Sequence, residues 1–345
     1  MSGKVLGFDF GTSTLKICKK GSGIVFDEKN IIAIEKKKRV VAIGDEAYDM
    51  LEKTPQSIQV NYPVRNGVIA DIANMEQLLN ASMKRCLSSL SRGTTCLVAV
   101  PTDITEVEKK AFYDLLLHSS AKVKNVGIVE KPIAAALGAG LDITSAGGVM
   151  TVDIGADTTE ISIMSLGGIV LSKLIPIGGN KIDESIKQYV KKKYNLLIGD
   201  KTAEKIKIKL ADAFDNNEDT VSVYGRNVVT GLPSQMEISA SMVHEAIIEY
   251  LKAIIVSIKM ILERTPPEIS SDIIDSGIHI TGGSAGIRNI DKIIAKETGL
   301  SVHISKEPGN AVINGLVSIV EDSNRNILAT IINSGSPAYR RTLRD

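Results

Sequence analysis

The chain has 345 residues, with 41 Lys and Arg against 40 Asp and Glu, and 43% of its residues are hydrophobic. This ordinary globular composition excludes disorder as the main state and, at roughly 100–200 residues per domain, predicts about two domains. The net charge of +1 excludes a chain-wide attraction to nucleic acid, so no nucleic-acid partner is expected.

The cysteines and the apolar segments indicate a cytoplasmic location. Cys18, Cys86 and Cys96 show no CxxC spacing, which disfavours a disulfide framework and a zinc site. The N-terminal residues form a strand-like run instead of a signal peptide, so secretion is not expected. The most apolar helical stretch, Ala246 to Leu262, carries three charged residues, whereas a membrane span needs about 20 mostly uncharged ones.

The first predicted element is an apolar strand, a polar turn and a second strand, from Val5 to Ile17. The same plan returns from Gly148 to Ile163, where Asp153 stands 144 positions after the corresponding Asp9. This repetition predicts an internally duplicated α/β fold, with the first half ending near Leu141.

Helical spacing marks several segments after the first turn. Thr105 to Leu117 begins at a capping residue, and Lys131 to Gly138 is Ala-rich with Pro in its first turn, so both predict helices. A smaller subdomain is expected to be inserted in the second half. The remaining predicted elements are helices from Asp183 to Tyr194, Lys201 to Ala213 and Ser241 to Glu263, and strands from Val221 to Thr230 and Met236 to Ile238.

Both Gly-containing turns have the chemistry of a phosphate site. Such a turn presents backbone N–H groups to phosphate oxygens, and an Asp at the strand end can hold magnesium directly or through water. Two such turns facing each other would clamp a nucleoside triphosphate. For either turn alone, an ordinary β-hairpin in which Asp and Thr bind turn amides is an equally good interpretation. Their recurrence in one register favours nucleotide binding.

Two further segments are weaker candidates for the same site. Ile280 to Gly286 is a third strand-to-turn element, in which small residues would let the backbone approach a flat ligand. Glu204 and Lys207 are three positions apart on a predicted helix and share a face, where they would hold ribose hydroxyls and an adenine edge. Without the two turns, a solvated charged face is the preferred interpretation of this pair.

With these motifs, several intervening segments resemble the MreB/Mbl family of bacterial actins, in the superfamily of actin, sugar kinases and heat-shock chaperones. The resemblance runs from about Lys4 to Val320. Sugar kinases, chaperones and the division protein FtsA share the phosphate turns but not these segments. The segments are Ala47 to Pro55, Pro63 to Asp71, Val100 to Glu108, Glu130 to Gly138, Thr230 to Pro233 and Arg264 to Asp272.

The resemblance implies an α/β, actin-like ATPase fold, a ribonuclease H-like duplication with two large domains, each with a smaller subdomain, around a nucleotide cleft. It implies ATP or ADP and Mg²⁺ as cofactors, and self-association into protofilaments, expected as antiparallel pairs. The expected location is cytoplasmic, peripheral to the inner face of the cell membrane, beside wall-synthesis membrane proteins. The implied function is to organise wall synthesis and determine cell shape. The implied subdomains are 1–31, 74–143 and 312–345 (IA), 32–73 (IB), 144–178 and 238–311 (IIA), and 179–237 (IIB).

The resemblance also assigns candidate site residues. Asp9 and Asp153 would flank the magnesium. Glu307 to Gly315 resembles the second connecting helix of the family, whose start lies near a hinge. The residues assigned to nucleotide binding are Gly11, Thr12, Ser13, Thr14, Lys16, Gly155, Ala156, Asp157, Thr158, Thr159, Gly179, Glu204, Lys207, Gly282, Gly283 and Ser284.

The sequence departs from the family at the position that handles the attacking water. Family members have two Glu residues before the Pro of the first connecting helix, whereas this chain has Glu130 and Lys131. A Lys ammonium cannot accept a proton from water, although it can hold phosphate charge. The catalytic candidates are therefore Lys131, at the family Glu position, with Glu130 and the retained Thr158.

The second Gly-containing turn also departs from the family pattern. Ala156 and Asp157 stand where the family has glycines, and a carboxylate at position 157 would repel phosphate unless it points away or reaches the metal. Ser284 stands where a Gly is usual, and Asn180 where an Asp is common. These changes predict a divergent member that binds nucleotide but hydrolyses it slowly or not at all. The alternative is compensation, with Glu130 or Glu160 reaching the water.

The segment from Cys86 to Gly93 falls where the family presents an apolar loop to the bilayer. Leu87 and Leu90, flanked by basic residues, would insert shallowly beside anionic headgroups. The alternative is an ordinary loop whose two Leu side chains lie in the core.

Two other functions stay open at this point. One is a non-hydrolysing scaffold that copolymerises with a regular MreB, which Lys131 favours. The other is a small-molecule kinase of the same superfamily, which the absence of a sugar-binding insert disfavours.

Overall fold

The structure is a computed structural model that describes residues 4–36, 39–87, 93–121, 123–322, 325 and 328–333, with 330–333 as backbone only. The chain forms two compact units. Unit 1 comprises Met1–Ser145, Leu166–Gly168 and Asn310–Asp345, and unit 2 comprises Ala146–Ser165 and Ile169–Gly309. The finer division into four subdomains stays a prediction.

Unit 1 is built on a six-stranded sheet in which three neighbouring strands run parallel. In spatial order the strands are β19 (Thr330–Asn333), β10 (Val123–Glu130), β9 (Thr94–Val100), β1 (Val5–Phe10), β2 (Thr14–Lys19) and β3 (Gly23–Lys29). β1, β9 and β10 are the parallel strands, and β2 returns antiparallel to β1. The carboxyl ends of the parallel strands therefore meet at one edge, where ligands bind in open α/β sheets.

Shorter strands and helices complete unit 1. The strands are β4 (Ile32–Glu35), β5 (Arg39–Ile43), β6 (Ile58–Asn61), β7 (Val64–Arg65) and β8 (Val68–Ile69). The helices are α1 (Gly44–Met50), α2 (Ile72–Cys86), α3 (Glu106–Leu117), α4 (Lys131–Gly138) and α10 (Ala311–Glu321). The predicted helices α3 and α4 are confirmed, and α3 begins with a capping box between Thr105 and Glu108.

Unit 2 combines a five-stranded sheet with a three-stranded one. The first contains β13 (Gly168–Ile175), β12 (Thr159–Ser165), β11 (Val149–Ile154), β17 (Ile278–Thr281) and β18 (Val302–Ile304), and the second β14 (Leu196–Leu197), β15 (Thr220–Asn227) and β16 (Pro233–Ser239). The helices are α5 (Gly179–Tyr194), α6 (Asp200–Leu210), α7 (Ala240–Glu263), α8 (Pro267–Ser276) and α9 (Ile290–Thr298), with a 3-10 turn at Gly283–Gly286.

The predicted elements of unit 2 are present, with shifted boundaries. β15 ends at Asn227, before the predicted Thr230, and β16 begins at Pro233, before the predicted Met236. α6 ends at Leu210, before the predicted Ala213, because Asp212 pairs with Arg288 in a parallel bridge and its carboxylate binds the Phe214 N–H. α5 begins four residues before the predicted Asp183, because backbone contacts outside the helix organise its first turn.

The two helices that resemble connecting helices, α4 and α10, pack backbone against backbone within unit 1. A Cβ on Gly138 would lie 1.8 Å from the Ala311 carbonyl oxygen, and a Cβ on Gly315 would lie 1.8 Å from that of Ala134. Each crossing position therefore accepts only glycine without movement of a helix.

Buried apolar residues account for the packing of β11 and α7. β11 is buried along its whole length, and α7 buries one face through residues at helical spacing, including Val243, Ile247, Leu251 and Ile258.

Within the described ranges, no helix has both the length and the apolar character that crossing a bilayer requires.

The two units repeat one hairpin plan, which confirms the predicted duplication. β1 and β2 flank turn 1 (residues 11–13), and β11 and β12 flank turn 2 (residues 155–158). The registers correspond: Asp9 stands opposite Lys16 in unit 1, and Asp153 stands opposite Glu160 in unit 2. The Asp therefore has a cationic neighbour in one unit and an anionic neighbour in the other.

Candidate functional site

Turn 1 is held in shape by the buried side chain of Asn30. The Asn30 side-chain amide donates to the Gly11 carbonyl oxygen at 2.7 Å, and its backbone N–H donates to that of Ser13 at 2.9 Å. A Cβ on Gly11 would lie 2.9 Å from the Thr14 carbonyl oxygen, so this tight turn requires glycine. No sequence signal identified Asn30, because it lies beyond the hairpin in the chain.

Lys16 is a buried lysine beside turn 1, with only 6% of its surface exposed. Its position opposite Asp9 puts both side chains on one face of the sheet. The ammonium donates to Asp27 Oδ2 at 3.0 Å and to the side-chain oxygen of Asn310. These partners stabilise a buried positive charge next to the turn.

Glu130 and Lys131 lie at the sheet edge that carries turn 1. Glu130 ends β10 and pairs with Val100 of β9, as Asp9 of β1 pairs with Ala99. Glu130 is exposed, and Lys131, the first residue of α4, is half-buried. A cation in the first turn of a helix interacts unfavourably with the helix dipole and costs about 0.3–1 kcal/mol of helix stability. Helix stability therefore does not account for Lys131.

Turn 2 is fixed by two elements of unit 2. The Gly155 carbonyl oxygen accepts from the Gly179 N–H at 3.0 Å and from Ser284 Oγ at 2.9 Å. The Ala156 carbonyl oxygen accepts from the Asn180 N–H at 2.7 Å. The first N–H groups of α5, which lack partners within the helix, thus bind the turn.

Lys207 extends this set of contacts. Its ammonium donates to the Gly179 carbonyl oxygen at 3.1 Å and to Asp183 Oδ2 at 2.7 Å. A Cβ on Gly179 would lie 2.7 Å from Ser284 Oγ and 3.0 Å from the Lys207 ammonium. We call Gly155, Gly179, Lys207 and Ser284 the Gly155 cluster, and all four belong to the residues assigned from sequence.

Asp183 is a site residue that the sequence analysis missed. Burial raises the pKa of this carboxylate to about 6, and the Lys207 ammonium only partly offsets that effect. The negative charge of Glu204 raises the pKa of Asp183 further, so Glu204 lies near the pair. A signal was available, since Asp183 follows Gly179 by one helical turn and so shares its face of α5.

Asp153 is oriented by a residue of the neighbouring parallel strand. Thr281 stands beside it in the β11–β17 register, and Thr281 Oγ1 donates to Asp153 Oδ1 at 3.0 Å in a fully buried bond. Thr159 is also buried, and its hydroxyl donates to the Ile177 carbonyl oxygen at 2.7 Å. Thr159 thus braces turn 2, while Thr158 is buried at its end.

Two residues that depart from the family pattern, Asp157 in turn 2 and Asn180 in α5, contact each other. Asn180 Nδ2 donates to Asp157 Oδ1 at 2.8 Å. The carboxylate that the sequence places in this turn is therefore bound by the amide at the start of α5.

Gly282 and Gly283 differ in what they do. Gly282 has φ +88°, and a Cβ there would lie 2.3 Å from the Ile154 carbonyl oxygen, so this glycine allows the 3-10 turn to pack on β11. A Cβ on Gly283 would meet no heavy atom of the described residues within 4 Å. The surrounding backbone therefore requires glycine at position 282 but not at position 283, whose predicted contact with a ligand stays a prediction.

The predicted membrane segment is only partly described. Leu87 is half-buried and packs against the unit 1 core, whereas Leu90 lies outside the described residues. Arg85, one of the flanking cations, pairs with Glu28 at 3.3 Å and Glu46 at 2.8 Å. For Leu87, this arrangement matches the core interpretation.

The described residues fit a magnesium–nucleotide complex without an all-protein metal cage. Within the described residues, no group of three or more His, Cys, Asp or Glu is arranged to hold a metal ion. Magnesium ordinarily keeps several waters and binds one or two carboxylates plus substrate phosphates. Asp9 in unit 1 and Asp153 in unit 2 are each a buried carboxylate at a strand end beside a Gly-containing turn, so each has the donor chemistry that such a complex uses.

Comparison with known proteins agrees with this architecture. The structure of MreB5 of Spiroplasma citri bound to AMPPNP superimposes with a TM-score of 0.90 at 33% identity, covering 95% of this chain and 98% of that one. The MamK double helical filament gives a TM-score of 0.79 at 21% identity, covering 93% and 99%, and so supports the fold alone. The expected actin-like α/β fold is confirmed.

Sequence comparison leads to the family. The cell shape-determining protein Mbl of Bacillus subtilis is 38% identical over 328 residues, 94% of this chain and 98% of Mbl. The cell shape-determining protein MreB of Escherichia coli K12 is 38% identical over 318 residues, 90% of this chain and 91% of MreB. The MreB/Mbl protein family model matches residues 3–327. With the duplicated hairpins and the actin-like fold, these matches show that the chain belongs to the MreB/Mbl family.

Proposed function

We propose that this chain is an ATP-binding, actin-like filament protein that determines cell shape. The observation that carries the proposal is the Gly155 cluster, in which turn 2, the start of α5, α6 and the 3-10 turn are bonded together. Such bonding gives turn 2 one backbone conformation, as a phosphate site requires. The AMPPNP-bound and ADP-bound structures of the S. citri relative support nucleotide binding.

The residues assigned from the sequence would supply distinct chemistry to the proposed nucleotide. Turn 1 and the Lys16 ammonium supply donors and positive charge for phosphate oxygens. Turn 2 supplies further backbone donors. Glu204 and Lys207, near turn 2, would bind the nucleoside. Asp9 and Asp153 would hold magnesium, which when bound neutralises part of the phosphate charge.

Hydrolysis by this chain is proposed to be slow. Lys131 occupies the position at which the family carries the second Glu, and an ammonium cannot serve as a general base. Its half-buried place at the edge that carries turn 1 suits an electrostatic contact with phosphate. A non-hydrolysing member that copolymerises with a regular MreB is the second candidate function, and Lys131 favours it.

We further propose that the filaments are antiparallel double protofilaments that lie on the inner face of the cell membrane, with wall-synthesis membrane proteins as partners. The filament state multiplies weak contacts, so a shallow apolar loop suffices for membrane binding. Because Leu87 packs on the unit 1 core, the membrane contact is assigned to Leu90 and the flanking basic residues.

Nucleotide-dependent assembly tests this function. Purified protein should bind a fluorescent ATP analogue and should pellet as filaments with Mg·ATP but not without nucleotide. Filaments seen only in mixture with a regular MreB would favour the copolymerising scaffold. ADP release that depends on an added small-molecule acceptor, with the protein staying monomeric, would instead indicate a kinase and contradict the proposal.

A further inference from the structure

His279 and His303 are neighbours in the five-stranded sheet of unit 2, and neither is among the residues assigned to nucleotide binding. They stand opposite each other in the parallel register of β17 and β18, which puts both side chains on the same face of the sheet. Their ring centres lie 5.3 Å apart, with an angle of 30° between the ring planes. Because β18 is the last strand of this sheet, the two imidazole rings meet at its edge.

The spacing of the two rings suits a shared metal ion. Zinc binds imidazole nitrogens at about 2.0–2.1 Å, and two rings that share a tetrahedral ion have centres roughly 5 Å apart. Imidazole is a ligand for zinc, copper and nickel, whereas magnesium prefers oxygen ligands. The pair therefore has both the spacing and the donor chemistry of a two-ligand site.

His279 has the hydrogen bond that metal-binding histidines usually make. One ring N–H donates to the backbone carbonyl oxygen of Ser276, the last residue of α8. Such a bond fixes the orientation of the ring and leaves its other nitrogen for a metal ion. Burial and the nearby His303 lower the pKa of His279, which favours the neutral ring that binds metals.

His303 is exposed, and its ring lies against the backbone of Gly277. Gly277 has φ +77°, and a Cβ there would lie 3.2 Å from His303 Cδ2. Glycine at position 277 therefore leaves room for the His303 ring beside His279. Because His303 faces solvent, an ion can reach the pair without any opening of the fold.

We propose that His279 and His303 form a two-ligand binding site for a borderline divalent metal ion such as Zn²⁺, Ni²⁺ or Cu²⁺. Within the described residues no third His, Cys, Asp or Glu joins the pair, so water would fill the remaining positions around the ion. The ion would tie the edge strand β18 to β17, the strand that leads into the 3-10 turn at Gly283–Gly286. Its nitrogen donors distinguish this site from the proposed magnesium–nucleotide site, whose donors are carboxylate oxygens.

Isothermal titration calorimetry with Zn²⁺ on the full chain, without an affinity tag, tests this inference. Excess Mg²⁺ is present so that carboxylate sites are occupied. The variants are His279→Gln and His303→Gln, and thermal unfolding without Zn²⁺ checks that each is folded. His303→Gln changes an exposed residue, so the test remains decisive if His279→Gln fails to fold.

His118→Gln is the matched control. His118 is exposed and its Nδ1 lies 2.9 Å from the Asp114 carbonyl oxygen, so it resembles the pair in having a backbone contact. It belongs to unit 1, whereas the other three His residues of the sequence belong to unit 2.

The unmodified chain and His118→Gln should each bind one Zn²⁺ per chain. His279→Gln and His303→Gln each keep one ring but lose the chelate, so their affinity should fall about tenfold or more. Zn²⁺ should raise the melting temperature of the unmodified chain but not of His303→Gln, because an ion that binds only the folded pair stabilises the fold. With Cu²⁺, electron paramagnetic resonance should show two bound imidazole nitrogens in the unmodified chain and at most one in either variant.

The inference would be overturned if the unmodified chain bound no Zn²⁺, or if His303→Gln bound it as tightly as the unmodified chain. A single bound nitrogen in the Cu²⁺ spectrum of the unmodified chain would overturn it too, as would an equal loss of affinity in His118→Gln. No nucleotide is present in these measurements, so their outcome is independent of the function proposed above.

Discussion

The Lys207 ammonium joins two helices of unit 2 by donating to Asp183 Oδ2 at 2.7 Å, while it also binds the carbonyl oxygen of Gly179 at 3.1 Å. Asp183 is on α5 and Lys207 is on α6. The ion pair therefore holds Lys207, which is assigned to the nucleoside, against α5, the helix whose start binds turn 2. Removing one member of a buried pair leaves the other charge without compensation.

The first prediction concerns pH. Burial raises the pKa of Asp183 from 3.8 to about 6, so between these values the folded chain holds a proton that the unfolded chain releases. The contribution of Asp183 to stability is therefore greatest below about pH 4 and declines as pH rises to about 6. Urea unfolding from pH 4 to pH 7 should show a shallower decline for Asp183→Asn than for the unmodified chain. The exposed Asp275→Asn is the control, and equal slopes for Asp183→Asn and the unmodified chain would contradict the prediction.

The second prediction concerns the crossing of α4 and α10. A Cβ on Gly315 would lie 1.8 Å from the Ala134 carbonyl oxygen, so Gly315→Ala should lower the free energy of unfolding by about 3 kcal/mol. Gly286→Ala is the matched control, because its Cβ would meet no heavy atom of the described residues within 4 Å. That control should stay within about 1 kcal/mol of the unmodified chain in urea unfolding. Equal stability of the two variants would mean that the helices do not cross so closely.

The third prediction concerns Thr281, which binds Asp153 at 3.0 Å. Thr281→Val keeps the shape but removes the hydroxyl, so the buried carboxylate loses a donor worth about 1.5–3 kcal/mol. Affinity for the Mg·ATP analogue should fall about tenfold in a fluorescence titration. Thr298→Val removes a hydroxyl that donates to the Ile294 carbonyl oxygen and accepts from the Leu300 N–H, both close to it in the chain, and should leave that affinity unchanged. Unaltered binding by Thr281→Val would show that Asp153 needs no such orientation.

The fourth prediction concerns hydrolysis. Phosphate release with Mg·ATP under polymerising conditions should be slow for the unmodified chain, and Lys131→Glu should raise it by about 10²–10⁴-fold, the usual contribution of a general base. Lys124→Glu, at an exposed residue of β10, the strand that leads into α4, is the control and should have no effect. Fast turnover by the unmodified chain, unaffected by Lys131→Glu, would mean that another group handles the water.

The fifth prediction concerns the membrane. Leu90→Asp should abolish co-sedimentation of filaments with anionic liposomes, because a carboxylate neither inserts beside the acyl chains nor tolerates anionic headgroups. Leu166→Asp, at a leucine that is exposed in the described part of the chain, is the control. Leu87→Asp should instead lower the melting temperature, since Leu87 packs on the unit 1 core. Full pelleting of Leu90→Asp filaments would remove this loop from the membrane proposal.

Local patterns in the sequence were enough to predict most elements. The start of α3 was visible because its capping residue and acidic first turn are neighbours in the chain, and the structure has the capping box there. The ends of α6 and the start of α5 were misplaced because their backbone partners, near Arg288 and in turn 2, are distant in sequence.

The sequence by itself determined the family, the duplicated hairpins and the residues that form the two turns, because each of these depends on short motifs of residues that are neighbours in the chain. Only the tertiary structure decided which partners those residues have. Asn30 behind turn 1, Thr281 beside Asp153, Asp183 beneath Lys207 and the pairing of Asp157 with Asn180 all join distant parts of the chain. Such contacts depend on how strands align and how helices pack. Hydrogen bonds and buried ion pairs form only where packing brings the two groups within about 3 Å of each other.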